Sequence, residues 1–199
     1  MDFEFLAGLD EAGRGPLAGP VTAGCVILPS DFPLELLNDS KKLTEKKREK
    51  AEAVIKEKCC WGLGVVEHQE IDRINILQAS MKAMSLAFDD MWKKLPDWCR
   101  VHGLEVPSIG DVRAIADGNR VPELKCTAVC EVKADGKYPS VMAASIIAKV
   151  SRDRMMMEYD ALYPEYGYAR HKGYPTAAHR KVCLEKGPSP IQRLSFTVK

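Results

Sequence analysis

Apolar residues alternate with small and polar ones from Phe3 to Asp10, then run unbroken from Val21 to Leu28. The first pattern predicts a strand over 3–10 and the second a buried strand over 21–28. Residues 29–38 read as a connection. Thr44 stands where a helix N-cap would, with Ala51, Val54, Ile55 and Cys59 following at helical spacing. Trp61 to Val66 reads as a third strand. From Gln69 to Leu95 the positions Ile71, Ile74, Leu77, Met81, Met84, Leu86 and Met91 predict one long helix or two consecutive ones, the methionines serving as core filler.

Pro96, Pro107, Ser108 and Gly110 make 96–111 loop-like. A strand over 112–116 closes on Asp117-Gly118-Asn119, and another covers 127–132. A helix begins near Pro139, a residue tolerated in a first turn, and continues through Val150. Its Ala143, Ala144, Ser145 and Ala148 would let it lie close against a sheet. A last short helix runs from a Thr176 cap to a Gly187 stop. Early strands with irregularly placed helices predict an α/β fold: a mixed sheet with helices on both faces.

The chain's 199 residues suffice for one domain with a sizeable core. Apolar residues make up 46 % and charged residues 29 %, as in soluble globular proteins. No run approaches the roughly 18 apolar residues of a membrane span. The acidic start, Met1-Asp2-Phe3-Glu4, is unlike a basic signal peptide, so a cytoplasmic protein with no membrane partner is expected. Seven cysteines without a CxxC pair read as buried thiols, and Cys126 and Cys130 have no second pair or nearby His to make zinc attractive. No apolar surplus suggests an interface, so a monomer is expected.

Net charge is only +1, yet Lys41, Lys42, Lys46, Lys47, Arg48 and Lys50 fall close together. Lys46 to Lys50 read as a solvated helix face. Lys41 and Lys42 precede that helix and are better placed to meet phosphate, as is Asn75 on the long helix; such contacts position a duplex without reading its sequence.

Four carboxylates stand at strand ends: Asp10 and Glu11 after the first strand, Asp117 closing the fourth, and Asp135 after the fifth. None has a histidine at ligand spacing. Hard oxygen donors of this kind suit Mg2+ or Mn2+, and Mg2+ binds through a few carboxylates plus substrate phosphate. Two such ions about 3.5–4 Å apart can drive an in-line displacement at a phosphodiester. Neighbours on a strand face opposite ways, so the chain is expected to turn at Glu11 if both acids are ligands. Gly13-Arg14-Gly15 can bring polar backbone close to a bulky anionic ligand, although each glycine could equally serve a tight turn and Arg14 a plain phosphate clamp. Tyr174, by pattern alone, is a half-buried packing residue. The glycine spacing matches neither GxxxxGK[ST] nor GxGxxG, which argues against a nucleotide kinase or NTPase. Intact acids at all four positions argue against a protein that merely binds nucleic acid.

Six ordered blocks carry a family resemblance: Gly8-Leu9-Asp10-Glu11-Ala12-Gly13-Arg14-Gly15-Pro16, Asp39-Ser40-Lys41-Lys42-Leu43, Asp117-Gly118-Asn119, Lys133-Ala134-Asp135, Ala144 to Asp153, and His171-Lys172-Gly173-Tyr174-Pro175-Thr176. From about residue 6 to 196 the chain resembles type 2 ribonuclease H, ribonuclease HII. The resemblance implies a ribonuclease H-like mixed sheet in a single domain over 1–199, with a helical C-terminal part over about 160–199 completing the substrate site. It implies cleavage of the RNA strand of RNA–DNA hybrids, and nicking on the 5′ side of single ribonucleotides embedded in duplex DNA, with 3′-hydroxyl and 5′-phosphate ends. It makes Asp10, Glu11, Asp117 and Asp135 the catalytic ligands of two Mg2+ or Mn2+ ions. It assigns Gly13, Arg14 and Gly15 to the ribose 2′-hydroxyl, and Tyr174 to stacking on the sugar of the next nucleotide. Asp153 is taken as structural. Gln192 departs from the family pattern, which has His there.

Overall fold

In the computed structural model, which describes residues 5–38, 40 and 43–198, five strands form one sheet in the order β3-β2-β1-β4-β5. The strands are β1 (Leu6–Ala12), β2 (Val21–Ile27), β3 (Cys60–Val66), β4 (Arg113–Asp117) and β5 (Thr127–Glu131). β1, β2 and β3 pair antiparallel, while β1–β4 and β4–β5 are parallel. The helices are α1 (Glu45–Lys58), α2 (His68–Ile74), α3 (Ile76–His102), α4 (Pro139–Leu162), α5 (Tyr168–His171) and α6 (Ala177–Lys186).

Strand alternation divides the core in two. Ala7, Leu9, Ala23 and Cys25 pack with Ala83, Ala87, Phe88 and Met91 of α3 on one face. Val26 packs on the other with Ala143, Ala144, Ile147 and Ile55, joining α4 and α1. The expected close approach of α4 is realised at Gly24, where a Cβ would collide with the backbone of Ala144. Deleting side-chain bulk from both partners lets helix and sheet touch through main chain.

The Thr44 and Thr176 caps are formed, accepting from the N–H of Lys47 and His179. Lys46, Lys47 and Lys50 are exposed, as a solvated face requires. Three expectations change. First, 96–111 is not all loop: α3 continues through Pro96 to His102, because Leu95 and Cys99 are fully buried and keep the apolar face intact across the proline. Second, Asn75 is not within the long helix but breaks 68–102 into α2 and α3; it has φ 68°, and its side-chain oxygen accepts from the N–H of Leu77 and Gln78. Third, the chain does not turn at Glu11. β1 runs on to Ala12, because β2 supplies ladder partners Ala23 and Thr22 for Glu11 and Ala12. Among the described residues no helix is long and apolar enough to cross a membrane.

Candidate active site

The parallel register of β1 and β4, with Leu9 opposite Ala116, brings the next residues, Asp10 and Asp117, out at the same edge. Asp10 shares its strand face with Gly8, which lies against α4, whereas Glu11 faces the other way. Asp135 arrives from a separate 3-10 turn, Ala134–Gly136, entered through Lys133 at φ 62°. Asp117 holds that turn in place: its Oδ1 accepts the Ala134 N–H at 2.7 Å. One carboxylate oxygen from each of Asp10, Asp117 and Asp135 lies within 4.8 Å of the other two. Glu11 stands outside this group and holds Arg14 at 3.2 Å.

Asp10 is 6 % exposed, and Asp135 is buried as well. Burial first, then repulsion from Glu11 and Asp117, push the Asp10 carboxyl well above the usual carboxylate range, against the N–H of Glu11 that it accepts at 2.8 Å. Burial also raises Glu11, with Arg14 opposing. Three acids crowded together, one at high electrostatic cost, form a place that a hard divalent cation would relieve. The donor set therefore fits Mg2+ or Mn2+.

Beside the acids the chain from Gly13 to Pro20 forms a loop closed by two fully buried arginines. Arg152 donates to the carbonyls of Pro20, Ala18 and Lys172 at 2.9–3.1 Å. Gly13 has φ 100°, and a Cβ there would run into the Arg152 side chain. Tyr174 lies against the same loop: a Cβ on Gly15 would sit 3.9 Å from its ring, and Lys149 Nζ and Arg152 Cζ approach the ring centroid at 5.6 and 5.8 Å. The Tyr174 backbone is fixed too. Its N–H donates to the His171 carbonyl at 2.8 Å, and its own carbonyl accepts from His179 Nδ1 at 3.0 Å. With 38 % of its surface open, the ring is available to a ligand.

A ribonuclease HII family model matches residues 7–199. The chain belongs to that family. It is 50 % identical to the ribonuclease HII of Treponema denticola, over 98 % of both chains, and 48 % identical to that of Acetivibrio thermocellus, over 98 % of this chain and 70 % of the relative. Its fold is similar to the crystal structure of ribonuclease H2 from Pyrococcus horikoshii, with a TM-score of 0.70 at 29 % identity, covering 97 % of this chain and 94 % of that one. This ribonuclease HII family member is an enzyme, a ribonuclease H with the metal-dependent hydrolase chemistry of its class. Family and fold together support cleavage of RNA–DNA hybrids, and the acidic cluster supports use of a divalent ion.

Of the residues singled out in the sequence, Asp10, Asp117 and Asp135 come together, while Glu11 lies outside the group and is paired with Arg14. Gly15 lies beside Tyr174 with Arg14 exposed next to it, whereas Gly13 is buried behind them against Arg152. Lys41 and Lys42 lie outside the described residues. Asn75 spends its side-chain oxygen on the α3 cap. Asp153 binds Lys149 at 2.7 Å, in keeping with a structural part. Gln192 is buried, bridges to Ala18, and accepts from the Cys183 thiol at 3.5 Å. Pattern reasoning missed Arg152, Arg193 and His179. Nothing local distinguishes a buried Arg or His from a surface one.

Proposed function

We propose that this enzyme nicks duplexes at ribonucleotides. It would cut the RNA strand of RNA–DNA hybrids and the 5′ side of a single ribonucleotide embedded in duplex DNA, leaving 3′-hydroxyl and 5′-phosphate ends. The observation that carries this reading is the meeting of Asp10, Asp117 and Asp135 within 4.8 Å, next to a glycine loop. These three acids, joined by Glu11, would hold two Mg2+ or Mn2+ ions. When bound, such ions activate water and stabilise the charge on the leaving oxygen.

The protein's own residues do the rest. Asp117 anchors the turn that carries Asp135, so the acids are aligned before substrate arrives. Arg14 offsets the charge of Glu11 at the mouth of the site. Gly13, Arg14 and Gly15 present backbone to the 2′-hydroxyl, which donates and accepts hydrogen bonds and is the sole chemical difference between ribose and deoxyribose at that nucleotide. Tyr174 stacks on the adjoining sugar. Lys41, Lys42 and Asn75 position the duplex backbone. In this reading the protein acts as a cytoplasmic monomer in removing misincorporated ribonucleotides, with 160–199 as the part of a single domain that supplies Tyr174.

A duplex carrying one ribonucleotide tests the proposal. With Mg2+ or Mn2+ it gives one nick 5′ to the ribose and none without added metal. An uncut but bound duplex, or cleavage that ignores the ribose, overturns it.

A further inference from the structure

Arg193 is fully buried and spends every N–H of its guanidinium on one loop. Nε donates to Gly19 O at 2.8 Å. Nη1 donates to Arg14 O at 3.2 Å and Pro16 O at 2.9 Å, and Nη2 to Gly13 O at 2.7 Å and Pro20 O at 2.9 Å. Its own backbone N–H takes the Leu17 carbonyl, and Arg152 takes that of Ala18. From Gly13 to Pro20, only the Gly15 carbonyl is without such a partner among the described residues. The N–H groups of Gly13, Arg14 and Gly15 donate to no protein acceptor among those residues.

Packing alone does not call for this arrangement. Burying a guanidinium is costly, and an apolar side chain of the same volume would fill the space but leave the loop carbonyls unpaired. Burial and the nearby Arg152 charge both act against ionisation of Arg193. What the guanidinium supplies is a planar fork of five donors that reaches five carbonyls at once. Lysine, with three donors on a single nitrogen, does not reproduce that spread.

We propose that Arg193 is a positioning residue for ribose recognition: it gathers the loop carbonyls inward and so commits the Gly13–Gly15 amides to the substrate side. This rests on the reading that Gly13–Gly15 meets the 2′-hydroxyl. The clamp also ties that loop to the Tyr174 turn, because Arg152 holds Pro20 and Lys172 carbonyls together.

The test compares Arg193→Lys with Asp72→Asn. Asp72 anchors the same C-terminal segment through the N–H groups of Leu194 and Ser195, without touching the loop carbonyls. The readout is the KM for a duplex with one ribonucleotide against the Ki of the identical all-deoxy duplex as competitor, with Mg2+ present. Arg193→Lys lowers that preference at least tenfold by raising the KM alone, while Asp72→Asn keeps it within twofold. An unchanged preference in Arg193→Lys, or an equal loss in Asp72→Asn, overturns the proposal. Should Arg193→Lys fail to fold, Phe196→Leu removes the ring lying 5.2 Å from the guanidinium and gives a smaller loss of preference; no loss there overturns it equally. A parent enzyme with no ribose preference refutes the ribose reading itself. In that case amide exchange at Gly13–Gly15 still decides the clamp, which requires faster exchange in Arg193→Lys than in Asp72→Asn.

Discussion

Replacing Asp117 by Asn separates the two tasks of that side chain. The amide oxygen still accepts the Ala134 N–H, now as a neutral acceptor, at a loss of about 1 kcal/mol. Against this, a negative charge leaves a cluster whose oxygens lie within 4.8 Å, where two ionised groups repel by about 3.5 kcal/mol at an effective dielectric of about 20. Asp117 is half-buried, so solvent screening brings the relief to about 1–2 kcal/mol per neighbour. Asp10, whose carboxyl resists ionisation, contributes the lower end. The net gain is about 1–2 kcal/mol, or about 2–8 °C in the metal-free Tm of a domain this size. Activity moves the other way. Losing an outer-shell partner of a metal ligand typically costs about 10–100-fold, so loss of a ligand should exceed that. Calorimetry with EDTA and with added Mg2+, beside nicking rates, reads both effects. A lower metal-free Tm, or a Mg2+-induced rise equal to the parent's, refutes the reasoning. Asp117→Ala, which also orphans the Ala134 N–H, should fall below the Asn variant in stability by about 1–3 kcal/mol.

Asp10→Asn should stabilise the metal-free protein at neutral pH and inactivate it. Because the folded carboxyl binds its proton more tightly than the unfolded one, that gain shrinks as pH falls through the raised pKa and is gone below the unfolded carboxyl's value of about 3.9; acid titration of Tm for parent and variant checks the sign. Burial pushes His171 and His179 below their ordinary value, and their rings stack at 4.3 Å. Their neutral forms therefore support the fold above the unfolded histidine pKa of about 6.5, and this support is lost as pH falls below it. His179→Gln should flatten the acid limb of the Tm profile, and an unaltered limb counts against the idea. Tyr174→Ala should slow cleavage at a lone ribonucleotide more than on a long hybrid, whereas equal loss on both substrates would mark it as a packing residue. Gly13→Ala should reduce activity at least tenfold, since a Cβ at φ 100° meets the Arg152 side chain; parent-like nicking rates would show that the loop adapts.

Periodicity sufficed for every strand of the sheet, because alternation and unbroken apolar runs report burial directly. It failed at Pro96, where the local dislike of proline for helices was outweighed by the burial of Leu95 and Cys99 on the core-facing side of α3. It failed again at Glu11, because a ladder partner in β2 is a non-local fact that no window around residue 11 contains. Asp10, Asp117 and Asp135 were legible since acids at strand ends before flexible turns share one look. Arg152 and Arg193 were not: all but one of their partners are main-chain carbonyls more than 130 residues away, and a carbonyl leaves no trace in sequence.

The bond from Arg193 to Gly13 spans 180 positions. Closing so large a loop is entropically expensive, and contacts of such separation form late in folding. During synthesis the strand bearing Asp10 emerges long before residue 193, and until then the loop beside it has only the Arg152 guanidinium to hold its carbonyls. The glycine loop therefore takes its full set of bonds only when the segment around residue 193 docks, later than the strand it follows.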